Sequence, residues 1–124
     1  MKKVIAIFAS LIALNANAEV INLIAVSNPP ECRAGHNCDI SSYHEIHIIN
    51  TSNSPETYHY QYQLCLRGIC DNAQNVITVY PGQRWDNSRN SQLHLKFSEG
   101  KYDYSVITEC GAVKSRNDYT VKVK

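Results

Sequence analysis

The chain has 124 residues, five cysteines and a formal net charge of +1, with charged residues making up 19% of its composition. The basic residues are scattered rather than grouped, so the chain lacks the surplus of positive charge that binding to phosphates requires. Length and charge therefore predict one small globular domain and exclude a nucleic-acid-binding protein.

Residues 1–18 have the features of a signal peptide. Lys2 and Lys3 form a positive start, residues 4–14 are largely apolar, and Ala16-Asn17-Ala18 supplies the small-x-small cleavage pattern. The apolar run is too short to span a bilayer, so we expect no transmembrane anchor. Cleavage leaves 124 − 18 = 106 residues, with 12 − 2 = 10 Lys+Arg against 11 Asp+Glu. We expect a bacterial protein that is exported, either periplasmic or secreted, with residues 19–124 as its single domain.

Seven segments of the mature chain predict β-strands, and none predicts a helix. Apolar and polar residues alternate along them, which is typical of strands with one buried side. Segments 31–42 and 84–90 are predicted to be loops, and segment 71–74 a turn. The predicted strands cover residues 20–26, 43–50, 57–65, 75–80, 92–98, 101–110 and 117–124. Short strands at this spacing favour an all-β, immunoglobulin-like sandwich.

A resemblance to known sandwiches supports this fold. Gly100-Lys101-Tyr102 resembles the tyrosine corner of Greek-key sandwiches, in which a tyrosine near the start of the sixth strand bonds back to the preceding connection. The turn at Pro81-Gly82, followed by an alternating strand that ends at Phe97, is similar to fibronectin-like domains. The immunoglobulin signature of two cysteines and a tryptophan is absent. The resemblance thus implies an immunoglobulin-like Greek-key β-sandwich and carries over no functional residues.

Four cysteines are expected to form two short-range disulfides. If Arg67-Gly68 is a two-residue turn, Cys65 faces Cys70 at a distance that suits a disulfide. Cys32 and Cys38 close a second small loop. All four are expected at one end of the sandwich, so exchanged pairings such as Cys32 with Cys70 stay open.

Cys110 is the fifth cysteine and is expected at the opposite end of the sandwich. Two interpretations remain open: a free thiol packed as a small apolar group, or an intermolecular disulfide that links a homodimer.

Six residues are candidate binding residues. Three are polar side chains on the third strand, opposite the side that carries Tyr58, Tyr60 and Tyr62. The other three are the tryptophan of segment 84–90 and two arginines near it, and an exposed tryptophan beside arginines is a typical anchor for a partner. Whether the tyrosines form core or an exposed binding face stays open. The six are His59, Gln61, Gln63, Arg84, Trp85 and Arg89. The leading hypothesis is a module that binds a protein or cell-surface partner.

Two alternatives are weaker. A periplasmic metal-binding or redox protein would use His44, His47 and His59, but His44 and His47 are three apart and so point to opposite sides of a strand. A protease inhibitor would present segment 84–90 as a loop. The chain contains no catalytic motif, so we expect a binding protein rather than an enzyme, without a cofactor or a dedicated metal site.

Overall fold

The computed structural model describes residues 19–124, so the predicted signal peptide lies outside the described residues. Seven strands account for most of this part: β1 (Glu19–Ser27), β2 (Asn37–Asn50), β3 (Glu56–Leu66), β4 (Ile69–Val79), β5 (Arg84–Lys96), β6 (Gly100–Cys110) and β7 (Val113–Val123). The prediction of an all-β domain with seven strands is confirmed. The described residues form no helix that is long and apolar enough to cross a membrane.

The strands form two antiparallel sheets that pack face to face. One sheet has three strands in the order β1-β2-β5, and the other has four in the order β4-β3-β6-β7. Consecutive strands β2 and β3 therefore belong to different sheets, as do β4 and β5. Alternate side chains from both sheets point inward and form the core.

Three segments predicted to be irregular are strand, so those predictions were wrong. Asn37 already begins β2, residues 71–74 lie within β4, and residues 84–90 are the first half of β5. The first half of β5 pairs with β2 from Ile49↔Arg84 onward. Its inward positions beyond Trp85 are polar, which hid the alternation that marks a buried strand. Segment 84–90 is therefore not presented as a free loop.

The core consists of two clusters, one towards each end of the sandwich. The cluster near the disulfides is built on Ile40, Leu64, Leu66, Val106 and Val121. The cluster at the opposite end contains Ile46, Ile48, Tyr58, Tyr62 and Cys110. Tyr58 and Tyr62 are thus core residues, whereas Tyr60 between them is only half-buried.

The connection before β6 contains the tyrosine-to-backbone hydrogen bond that the resemblance to a tyrosine corner implied. The Tyr102 hydroxyl donates to the main-chain carbonyl of Ser98 at 3.0 Å. Gly100 has a φ of 151°, and a Cβ there would lie 3.6 Å from the Tyr102 ring. Glycine at this position allows both the backbone conformation and the close approach of the ring.

Both predicted disulfides are present, Cys32–Cys38 and Cys65–Cys70. Cys110 is a free thiol, fully buried in the cluster at the opposite end. A disulfide between two chains through Cys110 would therefore require the sheets to part first.

The two lateral sides of the sandwich differ. On the β1–β7 side, Thr108 Oγ1 donates to the Ile24 carbonyl at 2.8 Å, and Asn117 Nδ2 donates to the Ala25 carbonyl at 2.5 Å. On the β4–β5 side, Asp71 joins the sheets by accepting from Arg89 Nη2 and from the Gln92 main-chain N–H, each at 2.8 Å. Beyond this junction the β4–β5 side is open.

Candidate functional site

The opening on the β4–β5 side is a cleft between the edges of the two sheets, with a volume of about 290 Å³. Tyr60 and Tyr62 of β3 form its floor. Asn75 of β4 and Asn87 and Arg89 of β5 line its two sides. We call this feature the β4–β5 cleft.

A row of aromatic rings runs along the floor of the cleft and continues to Trp85 beside it. The ring centroids of Trp85 and Tyr60 are 5.1 Å apart, and those of Tyr60 and Tyr62 are 5.4 Å apart. Trp85 and Tyr60 are half-buried, so each keeps part of its ring at the surface. Aromatic pairs at this separation are rigid and have a large contact area, which suits them to hold a partner.

Two polar atoms in the cleft lack a hydrogen-bond partner among residues 19–124. They are the Tyr62 hydroxyl and Arg89 Nε, both buried, and the Tyr62 side chain as a whole is only 3% exposed. A buried polar group without a partner costs on the order of 1–3 kcal/mol. Both atoms belong to residues that line the cleft but have almost no accessible surface, so an incoming acceptor would satisfy them only after these side chains shift.

The electrostatics of the cleft are nearly neutral. Arg89 is paired with Asp71, so its charge is balanced. Burial, and then the neighbouring Tyr60, raise the pKa of Tyr62 to about 12, so its hydroxyl stays protonated. The cleft offers hydrogen-bond donors without an excess of charge.

The structure brings two of the six candidate binding residues to the cleft. Arg89 lines it, and Trp85 lies beside it with its ring against that of Tyr60. Arg84 lies on the outer face of the three-stranded sheet, where its Nε donates to both carboxylate oxygens of Asp86.

The remaining three candidates lie on the outer face of the four-stranded sheet. Gln61 Nε2 donates to Glu109 at 2.5 Å, and Gln63 Nε2 donates to the sulfur of Cys65 at 2.9 Å. His59 is exposed beside them. The six residues therefore do not form one surface, and the two glutamines already have partners within the domain.

The histidines of the metal hypothesis are not brought together. His44 is buried on β2, with its two ring nitrogens 2.9 Å from the hydroxyls of Ser42 and Thr108. His47 lies on the outer face of the same strand, and His59 belongs to the other sheet. Residues 19–124 contain no group of three histidine, cysteine or acidic side chains arranged to hold a metal ion.

A network on the outer face of the three-stranded sheet was not predicted from the sequence. The ring nitrogens of His47 lie 2.5 Å from Glu45 and 2.5 Å from Asp86, and Tyr43 donates to Glu45. The bonds to Glu45 and then to Asp86 raise the pKa of His47. The spacing of Tyr43, Glu45 and His47 by two residues was the available signal, but Asp86 comes from the segment that we predicted as a loop.

The main residues of the cleft were also missed as a group. Tyr60 and Tyr62 were singled out only as part of an aromatic stripe, and Asn75 and Asn87 were not singled out at all. Nothing local in the sequence marks Asn75 and Asn87 as neighbours, because they lie on strands of different sheets.

No family model and no curated protein matches the chain. Among solved structures, a β-glucosidase from Listeria innocua in complex with glucose is similar at a TM-score of 0.47 and 14% identity, over 85% of this chain and 16% of that chain. An exo-chitosanase from Amycolatopsis orientalis is similar at a TM-score of 0.41 and 8% identity, over 85% of this chain and 13% of the exo-chitosanase chain. A structural-genomics target is similar at a TM-score of 0.41 and 11% identity, over 86% of this chain and 87% of the target chain. The chain thus spans under a fifth of the length of these two glycosidases, and similarities at this level support no inference about function.

Proposed function

We propose that this chain is an exported binding module with an immunoglobulin-like, Greek-key arrangement, and that it holds a protein or cell-surface partner in the β4–β5 cleft. It acts by binding rather than by catalysis. The observation that carries the proposal is the pair of unpartnered donors, Tyr62 Oη and Arg89 Nε, beside the Trp85–Tyr60 rings.

The fold part of the proposal is supported by strand order and by one bond. The first, second and fifth strands form one sheet and the third, sixth and seventh belong to the other, as in seven-stranded immunoglobulin domains, although β4 joins the second of these sheets rather than the first. The bond from Tyr102 to the Ser98 carbonyl supports the same arrangement. Two disulfides in a domain of this size support export to an oxidising compartment.

The binding part rests on the physical chemistry of the cleft. A partner that covers the half-buried rings of Trp85 and Tyr60 removes apolar area from water. A partner that also brings an acceptor to Arg89 Nε satisfies a donor that is otherwise buried without a bond. Because Arg89 is balanced by Asp71, the partner needs polar groups rather than a strong opposite charge.

The test is a capture experiment with the mature protein immobilised and exposed to periplasmic and cell-surface fractions of the producing cell. We expect Trp85→Leu to reduce the amount of the specifically captured protein at least tenfold, because the largest ring of the aromatic row is lost. The captured proteins are quantified by mass spectrometry.

Two controls make the test specific. Leu95→Ala removes a partly buried side chain that packs at the opposite end of the core, and so controls for lost stability. The double variant Gln61→Ala/Gln63→Ala tests the outer face of the four-stranded sheet. Both controls should capture normally. If the glutamine variant fails to capture the partner while Trp85→Leu captures it normally, the binding site lies on that outer face and not in the cleft.

A further inference from the structure

Strand β4 is an edge strand with little of the usual protection beyond its first residues, where the inward-pointing Asp71 binds β5. It is 11 residues long, and its pairing with β3 runs without a bulge from Leu66↔Ile69 to Glu56↔Val79. It contains no proline, lysine or arginine. Natural proteins protect exposed edges with such residues or with bulges, because an unprotected edge pairs readily with another strand.

The other three edge strands of the described domain are protected. β7 carries Lys114, Arg116 and Lys122, and β5 carries three basic residues and has its Gln92 N–H occupied by Asp71. The carbonyls of Ile24 and Ala25 in β1 accept side-chain bonds from the neighbouring sheet. From Asn72 onward, β4 is therefore the least protected of the four edge strands.

The register shows which groups of β4 are available. The two-residue turn at Arg67-Gly68 makes Leu66 and Ile69 a hydrogen-bonded pair, so hydrogen-bonded and non-bonded pairs alternate from there. The even-numbered residues from Cys70 to Thr78 therefore direct their N–H and C=O groups away from β3. Consistent with this, the Val76 N–H bonds to the Asn75 side chain at 2.8 Å rather than to β3.

A strand added beside β4 would also reach the cleft. Side chains alternate between the two faces of a sheet, so every second side chain of the added strand would point between the sheets. That space is lined by Tyr62 and Arg89, whose Oη and Nε atoms are buried without partners. Main-chain bonds to β4 and side-chain bonds in the cleft would then act together.

We infer that the occupant of the β4–β5 cleft is an extended polypeptide segment of the partner, which pairs with the free edge of β4 as a fifth strand of its sheet. This inference rests on the proposed binding function and names the chemistry of the partner. The segment directs an amide or hydroxyl side chain towards Arg89 and Tyr62, since the carboxylate of Asp71 already balances Arg89. Main-chain pairing supplies affinity and the inserted side chains supply selectivity.

The test uses peptides selected from a phage-displayed library of random dodecapeptides on the immobilised protein. The tightest peptide is resynthesised with a single N-methyl group at each position in turn. We expect at least a tenfold loss of affinity at alternate positions and little change at the positions between them, because only every second N–H of the peptide faces β4. Equal effects at adjacent positions would overturn the inference, as would a library that yields no binding peptide.

A pair of protein variants tests whether the outward main-chain groups of β4 take part in binding. Gln74→Pro removes an N–H that faces the free edge and leaves the bonds to β3 in place, whereas Gln74→Ala keeps it. We expect Gln74→Pro to bind the selected peptide at least tenfold more weakly than Gln74→Ala, with both variants melting within a few degrees of the parent protein. Equal affinity of the two variants would refute strand addition.

The two proposals fail separately. If Trp85→Leu abolishes capture while Gln74→Pro captures normally, the cleft binds its partner without strand addition, and this inference is wrong while the proposed function stands. If neither variant changes capture, the proposed function is wrong as well. A dimer in sedimentation that Gln74→Pro dissociates and Gln74→Ala does not would mean that β4 already pairs with β4 of a second copy, and would also overturn the inference of a separate partner.

Discussion

At the scale of single residues, His44 is the most constrained ionisable group of the domain. Its side chain is 0% exposed, and each ring nitrogen meets a hydroxyl group, from Ser42 on one side and Thr108 on the other. Burial, followed by the nearby charge of Arg89, lowers its pKa from 6.5 to about 4. His44 is therefore neutral in the folded protein at neutral pH.

This burial predicts a loss of stability in mild acid. The unfolded chain takes up a proton at His44 near pH 6.5, whereas the folded protein resists doing so until about pH 4. Stability is therefore full above pH 6.5 and falls as the pH drops towards 4, by about 3 kcal/mol over the whole range. Urea denaturation of the parent protein and of His44→Gln at pH 7 and pH 4.5 measures the effect, and the variant should show a clearly smaller difference.

His47 provides the control because its contribution has the opposite sign. Its pKa is raised, so the stability that it adds is present below pH 6.5 and is lost as the pH rises through its folded-state value. His47→Gln should therefore lose at least as much stability as the parent protein between pH 7 and pH 4.5, because it lacks this opposing contribution. If His44→Gln kept the loss of the parent protein and His47→Gln abolished it, the assignment to His44 would be wrong.

At the scale of elements, the turn and the disulfide of the β3–β4 hairpin were predicted because their signals are local, whereas residues 71–74 of β4 were wrongly predicted as a turn. Arg67 and Gly68 both have positive φ values, 50° and 81°, as a tight turn of this kind requires. The turn fixes the register, which places Cys65 opposite Cys70. A short stretch of sequence thus determined the turn, the pairing and the disulfide.

Strand β5 and the cleft were not predictable in this way. The inward positions Asn87, Arg89 and Ser91 are polar because they face the open side of the sandwich or the buried polar groups near it. An inward polar residue looks the same in sequence as a loop residue. The contact of Trp85 with Tyr60 depends on how the two sheets pack, and this information is not local to either strand.

The two disulfides should differ in their response to reductant. Cys65 and Cys70 are partly or fully exposed on the hairpin, whereas Cys32 and Cys38 are buried. Thiol–disulfide exchange requires access to a sulfur atom, so we expect Cys65–Cys70 to open first as dithiothreitol is increased. Alkylation followed by mass spectrometry identifies the released thiols. In urea, where both sites are accessible, the order should largely disappear. Earlier release of Cys32 and Cys38 in native buffer would contradict the prediction.

At the scale of the whole molecule, the domain is asymmetric in two directions. Across its width, the β1–β7 side is closed by bonds from side chains to carbonyls, and the β4–β5 side is closed only near Asp71. Along its length, both disulfides lie at one end, whereas the other end has only non-covalent contacts around Ile48, Tyr58 and Cys110. The sequence predicted the second asymmetry through its cysteine spacing, and the first emerged only from the packing of the sheets.

Because Cys110 lies at the end of the sandwich without disulfides, its reactivity can be used to measure local opening of that end. The end without disulfides is the one expected to fray first, and its thiol is 0% exposed, with a pKa that burial raises to about 11. Its labelling rate with Ellman's reagent should therefore be negligible in native buffer and rise steeply with urea, well before global unfolding. Cys110→Ser should abolish the signal. Fast labelling without urea would mean that this end of the sandwich is already open. The labelling rate of this single free thiol thus measures how fast the two sheets separate at this end of the sandwich.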